Sequence, residues 1–97
     1  MNGPKQTAPS RELLLANHVF PGEYIVKAFG PSNDAFREAI VSAAVSVVGE
    51  ARADLSIRAS RHGAKLCITL RLNALSVDEV IDVYEEIHRV DGLAMIL

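Results

Sequence analysis

Few residues of this chain are equipped for chemistry, and their spacing limits what they can do. Cys67 is the single cysteine. A reactive thiolate needs a base or cation held beside it. Cys67 stands between Leu66 and Ile68 with neither fixed by spacing, so it reads as a small strand residue. One cysteine also excludes a Cys-x-x-Cys metal or redox motif. His18, His62 and His88 share no metal-ligand spacing with one another or with Cys67. His62 reads as a solvated turn residue and His88 as a cation near a helix end. Asp78, Glu79, Asp82, Glu85, Glu86 and Asp91 crowd one stretch, and Asp78, Asp82 and Glu85 or Glu86 recur at helical spacing, the pattern of a solvated helix face. Glu50, Arg52 and Asp54 fall in a connection and suggest no carboxylate pair for acid–base work. These residues predict no catalytic group, metal site or cofactor, and hence a non-enzymatic protein.

Binding is a different matter. Gly30-Pro31-Ser32-Asn33 precedes a helical pattern that opens at Asp34. The free amides of a helix N-terminus can hold an anion or a carboxylate. A turn followed by a helix cap accounts for the same residues. A P-loop is excluded, because its Gly-Lys-Ser/Thr end is missing.

The elements that position these residues follow from periodicity. Residues 1–18 read as a flexible segment, with a possible short helix at 10–16 capped by Ser10, and 19–97 as a single domain. Tyr24, Val26 and Ala28 alternate with Ile25, Lys27 and Phe29, predicting a strand, and Gly30 to Asn33 break it. Phe36, Ala39, Ile40, Ala43 and Val47 recur at three- and four-residue spacing, with Ser42 and Ser46 on another face and Gly49 as the stop. Leu55, Ile57 and Ala59 inward, then Leu66, Ile68 and Leu70 inward, flank a turn at Ser60-Arg61-His62-Gly63, which makes a β-hairpin. Ser76 and Glu79 form a capping box, with Leu75 and Val80 placed as a hydrophobic staple. The helix they open carries Val77, Val80, Ile81, Tyr84 and Ile87 on its inner stripe. After Asp91-Gly92, Leu93 to Leu97 form a last strand. The order β-α-β-β-α-β predicts an α+β, ferredoxin-like fold: a four-stranded antiparallel sheet in the order 4-1-3-2 with two helices on one face.

That topology leaves the other sheet face open, with Ile25, Lys27, Phe29, Ser56, Arg58, Lys65, Cys67, Thr69 and Arg71 upon it. Cations around apolar residues suit a docking face for a protein partner or a second protomer. The alternative is single-stranded RNA, which RRM domains bind on the corresponding face. Leu66, Cys67, Ile68 and Thr69 supply no aromatic ladder, so stacking would rest on Phe29 alone. Acylphosphatase chemistry is excluded by the absence of an arginine in the loop after the first strand.

One stretch is distinctive. Phe20-Pro21-Gly22-Glu23-Tyr24-Ile25-Val26-Lys27-Ala28-Phe29-Gly30 resembles the opening signature of the YbeD-like family of small uncharacterised bacterial proteins. There a Phe-Pro-Cys-x-aromatic pattern runs into an apolar strand with a lysine and a closing glycine. Arg58-Ala59-Ser60 before Gly63-Ala64-Lys65 and the terminal apolar strand also fit, so the likeness spans roughly Val19 to Leu97. Gly22 stands where that family commonly has cysteine, and no thiol role carries over. The resemblance implies an ACT-like fold and a regulatory or adaptor role. In such folds the loop after the first strand helps to bind amino acids at a dimer interface, which makes Gly30, Ser32, Asn33 and Asp34 the candidate site for a small metabolite. The resemblance brings no established activity.

Composition sets the remaining bounds. The 97 residues are 49% apolar and 23% charged, enough for one core without disulfides or metal. A net charge of −2 gives no global pull toward nucleic acid or membrane. Leu13-Leu14-Leu15-Ala16 is too short for a signal-peptide core, and no apolar run approaches a membrane span. With one cysteine and no leader, the expected setting is the cytoplasm.

Overall fold

Alternation turns the opening strand into a partition between core and solvent. In the computed structural model, which describes residues 9–59 and 65–97 apart from the side chains of 55–59, β1 (Gly22–Pro31) buries Tyr24, Val26 and Ala28. Ile25 and Lys27 point the other way and are exposed, with Phe29 half-buried beside them. β3 (Lys65–Ala74) repeats the pattern, burying Leu66, Ile68, Leu70, Leu72 and Ala74. The two strands pair antiparallel in an unbroken register from Gly22↔Ala74 to Pro31↔Lys65. β1 therefore runs through Gly30 and Pro31, where a break was expected. Lys65 at the start of β3 gives Pro31 a neighbour, and a proline at a strand end forfeits only one donor.

β2 (Ala53–Ala59) flanks β3, and β4 (Met95–Ile96) flanks β1, giving the order β2-β3-β1-β4. This is the expected order read from the opposite edge. The hairpin turn expected at Ser60–Gly63, like the inward and outward side chains expected in β2, lies outside the described residues. The last strand is shorter than Leu93–Leu97. Its ladder is extended by the Ala94 N–H donating to the Phe29 carbonyl at 2.8 Å and by Lys27 and Leu97 exchanging bonds of 3.1 and 2.8 Å.

α2 (Asp34–Val48) starts where Asn33 Oδ1 accepts the Phe36 N–H at 2.7 Å, and stops at Gly49, whose φ of 80° favours glycine. It buries Phe36, Ile40, Ala43, Ala44 and Val48. Val47 packs half-buried against the core as expected, and Val48 beside it is the more deeply buried, since a period of 3.6 carries the inner face round by the fourth turn. α3 (Val77–His88) buries Val77, Val80, Val83, Tyr84 and Ile87. Val83 joins the expected stripe, because one turn beyond Val80 falls between Val83 and Tyr84, and Ile81 packs half-buried against the core at its edge.

Ser76 caps α3 through its Oγ, which accepts the Glu79 N–H at 3.4 Å. The expected reciprocal bond is displaced: Glu79 Oε1 accepts the N–H of Leu75 at 2.8 Å. Glu79 is held there by Arg52, whose two guanidinium nitrogens reach its two oxygens at 2.7 and 2.9 Å. Arg52 lies in the 3-10 turn Glu50–Arg52 and also donates to the Asn73 carbonyl at 3.1 Å. No staple forms, because Leu75 is 60% exposed.

A third helix, α1 (Arg11–Asn17), precedes the sheet, capped by Ser10, whose Oγ accepts the Leu13 N–H at 3.1 Å. Seven residues are too few for a stable isolated helix. α1 docks on α3: Leu14, 2% exposed, joins the core, and Arg11 pairs with Asp78 at the start of α3. The inner faces of the helices and the sheet share one apolar cluster. Among the described residues no helix is long and apolar enough to cross a membrane.

Candidate functional site

Register decides which side chains meet on the open face. β1 contributes Glu23, Ile25, Lys27 and Phe29, and β3 contributes Lys65, Cys67, Thr69 and Arg71. Ile25 sits opposite Arg71, Lys27 opposite Thr69, Phe29 opposite Cys67, and Pro31 opposite Lys65. β4 adds Met95 beside Phe29, and the Lys27–Leu97 backbone bonds place Leu97 beside Lys27. Ile25, Met95 and Leu97 are 43%, 39% and 53% exposed, and Phe29, Cys67 and Thr69 are half-buried among their neighbours. The expected residues Ile25, Lys27, Phe29, Lys65, Thr69 and Arg71 thus come together on one surface. Arg58 sits in β2 opposite Cys67, and its side chain lies outside the described residues.

The sequence reading missed Met95 and Leu97 as members of this face. Their signal was present: Ile96 is buried, so its two neighbours must point away from the core. What was missing was the partner strand, which only the fold supplies.

The charges on this face are arranged unequally. Arg71 Nε lies 3.2 Å from Glu23 Oε2, a diagonal cross-strand pair, and exposed Asp54 is its register neighbour on β2. Lys27 and Lys65, both exposed, form no ion pair among the described residues. Lys27 stands inside the apolar group, between Ile25 and Phe29 along β1 and beside Leu97.

The Gly30–Asp34 residues are already employed. Gly30 is buried beneath the Phe36 ring, which occupies the space where a Cβ would project. Asn33 caps α2, and Asp34 pairs with Arg37 at 2.7 Å. Ser32 is exposed. Asn33 also lines an open groove of about 750 Å³ between α2 and the connection from α3 to β4, together with Pro31, Phe36, Ser42, Arg89 and Asp91. Arg89 is paired with Glu86 at 2.7 Å. The described residues include no buried polar or charged side chain that could fix a ligand's orientation there.

Cys67 is a free thiol on the sheet face. His88 Nδ1 lies 2.8 Å from the Tyr84 carbonyl one turn back, and His18 packs on Tyr24 with ring centroids 4.7 Å apart. Among the described residues no three His, Cys, Asp or Glu side chains are grouped to hold a metal.

No curated protein matches this chain. A family described as protein of unknown function (DUF493) matches residues 16–97, a span that takes in the whole sheet and every described residue of its open face. The chain belongs to the DUF493 family.

Proposed function

We propose that this chain is a non-enzymatic, cytoplasmic binding module of ferredoxin-like and ACT-like architecture, akin to the YbeD-like proteins. It serves a regulatory or adaptor role by docking another protein on its open sheet face. The observation behind this reading is the group formed by Ile25, Phe29, Met95 and Leu97 around Lys27. Exposed apolar residues gathered on one face, with charged residues set among them, suit a surface that another protein covers. The RNA reading is weaker. A base-stacking platform needs aromatic rings, and Phe29 is the one ring that the described strands place on this face. The groove beside Asn33 lacks a built polar site, which makes a small metabolite the less favoured ligand.

The test is parallel affinity capture with the wild-type chain, Lys27→Glu, Phe29→Asp and, as a groove control, Ser42→Asp. Circular dichroism establishes that each variant is folded. The reading expects a protein captured by wild type and by the groove control, and lost with the face variants. Equal capture by all four chains would sink it. Co-purifying RNA lost with Lys27→Glu would favour the RNA alternative, and a metabolite lost with Ser42→Asp would favour the groove.

A further inference from the structure

We infer that the partner segment docking on the open face is acidic as well as apolar, and that it places a carboxylate against Lys27. The inference rests on the proposed use of this face and names the chemistry of the occupant. Any surface that covers Ile25, Phe29 and Leu97 must also cover Lys27, because Lys27 lies between the first two on β1 and beside the third. Removing water from an unpaired ammonium is strongly unfavourable, and an opposite charge with good geometry offsets it.

No acidic side chain among the described residues pairs with Lys27. Glu23 is the acidic residue of β1's outer row, and it is engaged by Arg71 at 3.2 Å. Asp54 is two strands away from β1, opposite Arg71. Lys65, at the other end of the face, has no ion pair among the described residues either. One end of the face therefore sets two acids, Glu23 and Asp54, about one cation, Arg71, while Lys27 at its centre and Lys65 at its far end have no acidic partner among the described residues. An acidic partner matches that distribution and gains in encounter rate as well as in fit.

The same geometry disfavours other occupants. A second copy stacked face to face about a two-fold axis through the centre would set Lys27 against Lys27. Like charges brought together in an interface oppose association. RNA would satisfy the ammonium with phosphate, yet Ile25, Met95 and Leu97 offer its bases aliphatic surface in place of stacking rings.

The test uses a display library of random linear peptides, selected against the full chain and against Lys27→Glu. The most enriched peptide is then synthesised with its acids intact and with each changed to the amide. Selection on wild type is expected to enrich Asp or Glu set among Leu, Ile, Phe or Met. Lys27→Glu should weaken the chosen peptide by about tenfold or more and reverse the charge preference of a fresh selection. Peptides lost with Ile25→Ala and Phe29→Ala but lacking acids would overturn this inference and leave the face as a docking site. Peptides that ignore those face variants, or no enrichment at all, would overturn both. Two more outcomes overturn the acidic partner. One is binding of a single-stranded uridine oligonucleotide that Lys27→Glu abolishes. The other is a dimer in analytical ultracentrifugation that Ile25→Asp dissociates.

Discussion

The Tyr24 hydroxyl on β1 meets the Tyr84 hydroxyl on α3 at 3.1 Å in a buried contact, their rings set edge to face with centroids 6.3 Å apart. The pair ties the central strand to the helix layer with a polar contact inside an otherwise apolar core. His18 packs against the far side of this arrangement through Tyr24, so the end of α1 is fixed to the same point. Each hydroxyl answers the other. Removing one leaves a buried polar group without its partner, whereas removing both does not.

Tyr84→Phe should therefore destabilise the fold by about 1–3 kcal/mol. The double variant Tyr24→Phe/Tyr84→Phe should lose less than the sum of the single changes. Urea unfolding of all four chains gives the cycle, and strict additivity would mean that the hydroxyl contact carries no coupling.

Burial, and then the bond to Tyr24, raise the Tyr84 pKa above its ordinary value of 10.0. A raised folded-state pKa means that the folded chain keeps its proton where the unfolded chain has lost it. The contribution is complete below about pH 10 and declines as pH rises further. Unfolding midpoints should fall more steeply from about pH 9 to about pH 11 in wild type than in Tyr84→Phe. Parallel slopes would show that Tyr84 is not the titrating group.

Glu79 follows the opposite sign. Its bond with Arg52, reinforced by the Leu75 N–H, lowers its pKa from the ordinary 4.5. The resulting stability is present above about pH 4.5 and is lost as pH falls through the lower folded value. Glu79→Gln should lose stability at neutral pH and show a shallower acid decline than wild type. The measurement is the denaturation midpoint in a pH series taken down into that acid window. Identical slopes would rule out Glu79 as an acid-sensitive tie.

Gly30 has no room for a methyl group, since a Cβ would overlap the Phe36 ring. Gly30→Ala should cost about 1–3 kcal/mol by overpacking. Combining it with Phe36→Leu should cost less than the two changes added, because the smaller side chain vacates the contested space. Thermal unfolding distinguishes this from a flexible loop, where Gly30→Ala would be neutral.

Leu14→Ala should cost about 2–5 kcal/mol, because that side chain is 2% exposed within the core. Leu13→Ala and Leu15→Ala, on the exposed sides of the same helix, should be nearly neutral. Equal effects at all three positions in chemical denaturation would mean that α1 docks by another face.

Much of this protein was legible from local pattern. Alternation of Tyr24, Val26 and Ala28 with Ile25, Lys27 and Phe29 fixes which side of the strand meets the core, because successive strand residues must point to opposite faces. Ser10 and Ser76 mark two helix starts for an equally local reason, each side chain capping an amide three residues on. For α2 both Ser32 and Asn33 suit a cap, and the structure uses Asn33. The strand order followed from the succession of elements and the handedness of their crossovers.

What the sequence left open depends on residues far apart in the chain. Glu79 turns to Leu75 because Arg52, 27 positions away, holds its carboxylate. Gly30 looks like a turn residue in sequence, and the fold makes it the floor beneath Phe36. Met95 and Leu97 become part of the open face once β4 lies beside β1. Lys27 was visible as a charge in a strand. Its isolation among Ile25, Phe29 and Leu97, with Glu23 already taken by Arg71, is a product of register. Local spacing determines which way a side chain points, and tertiary pairing decides what stands next to it.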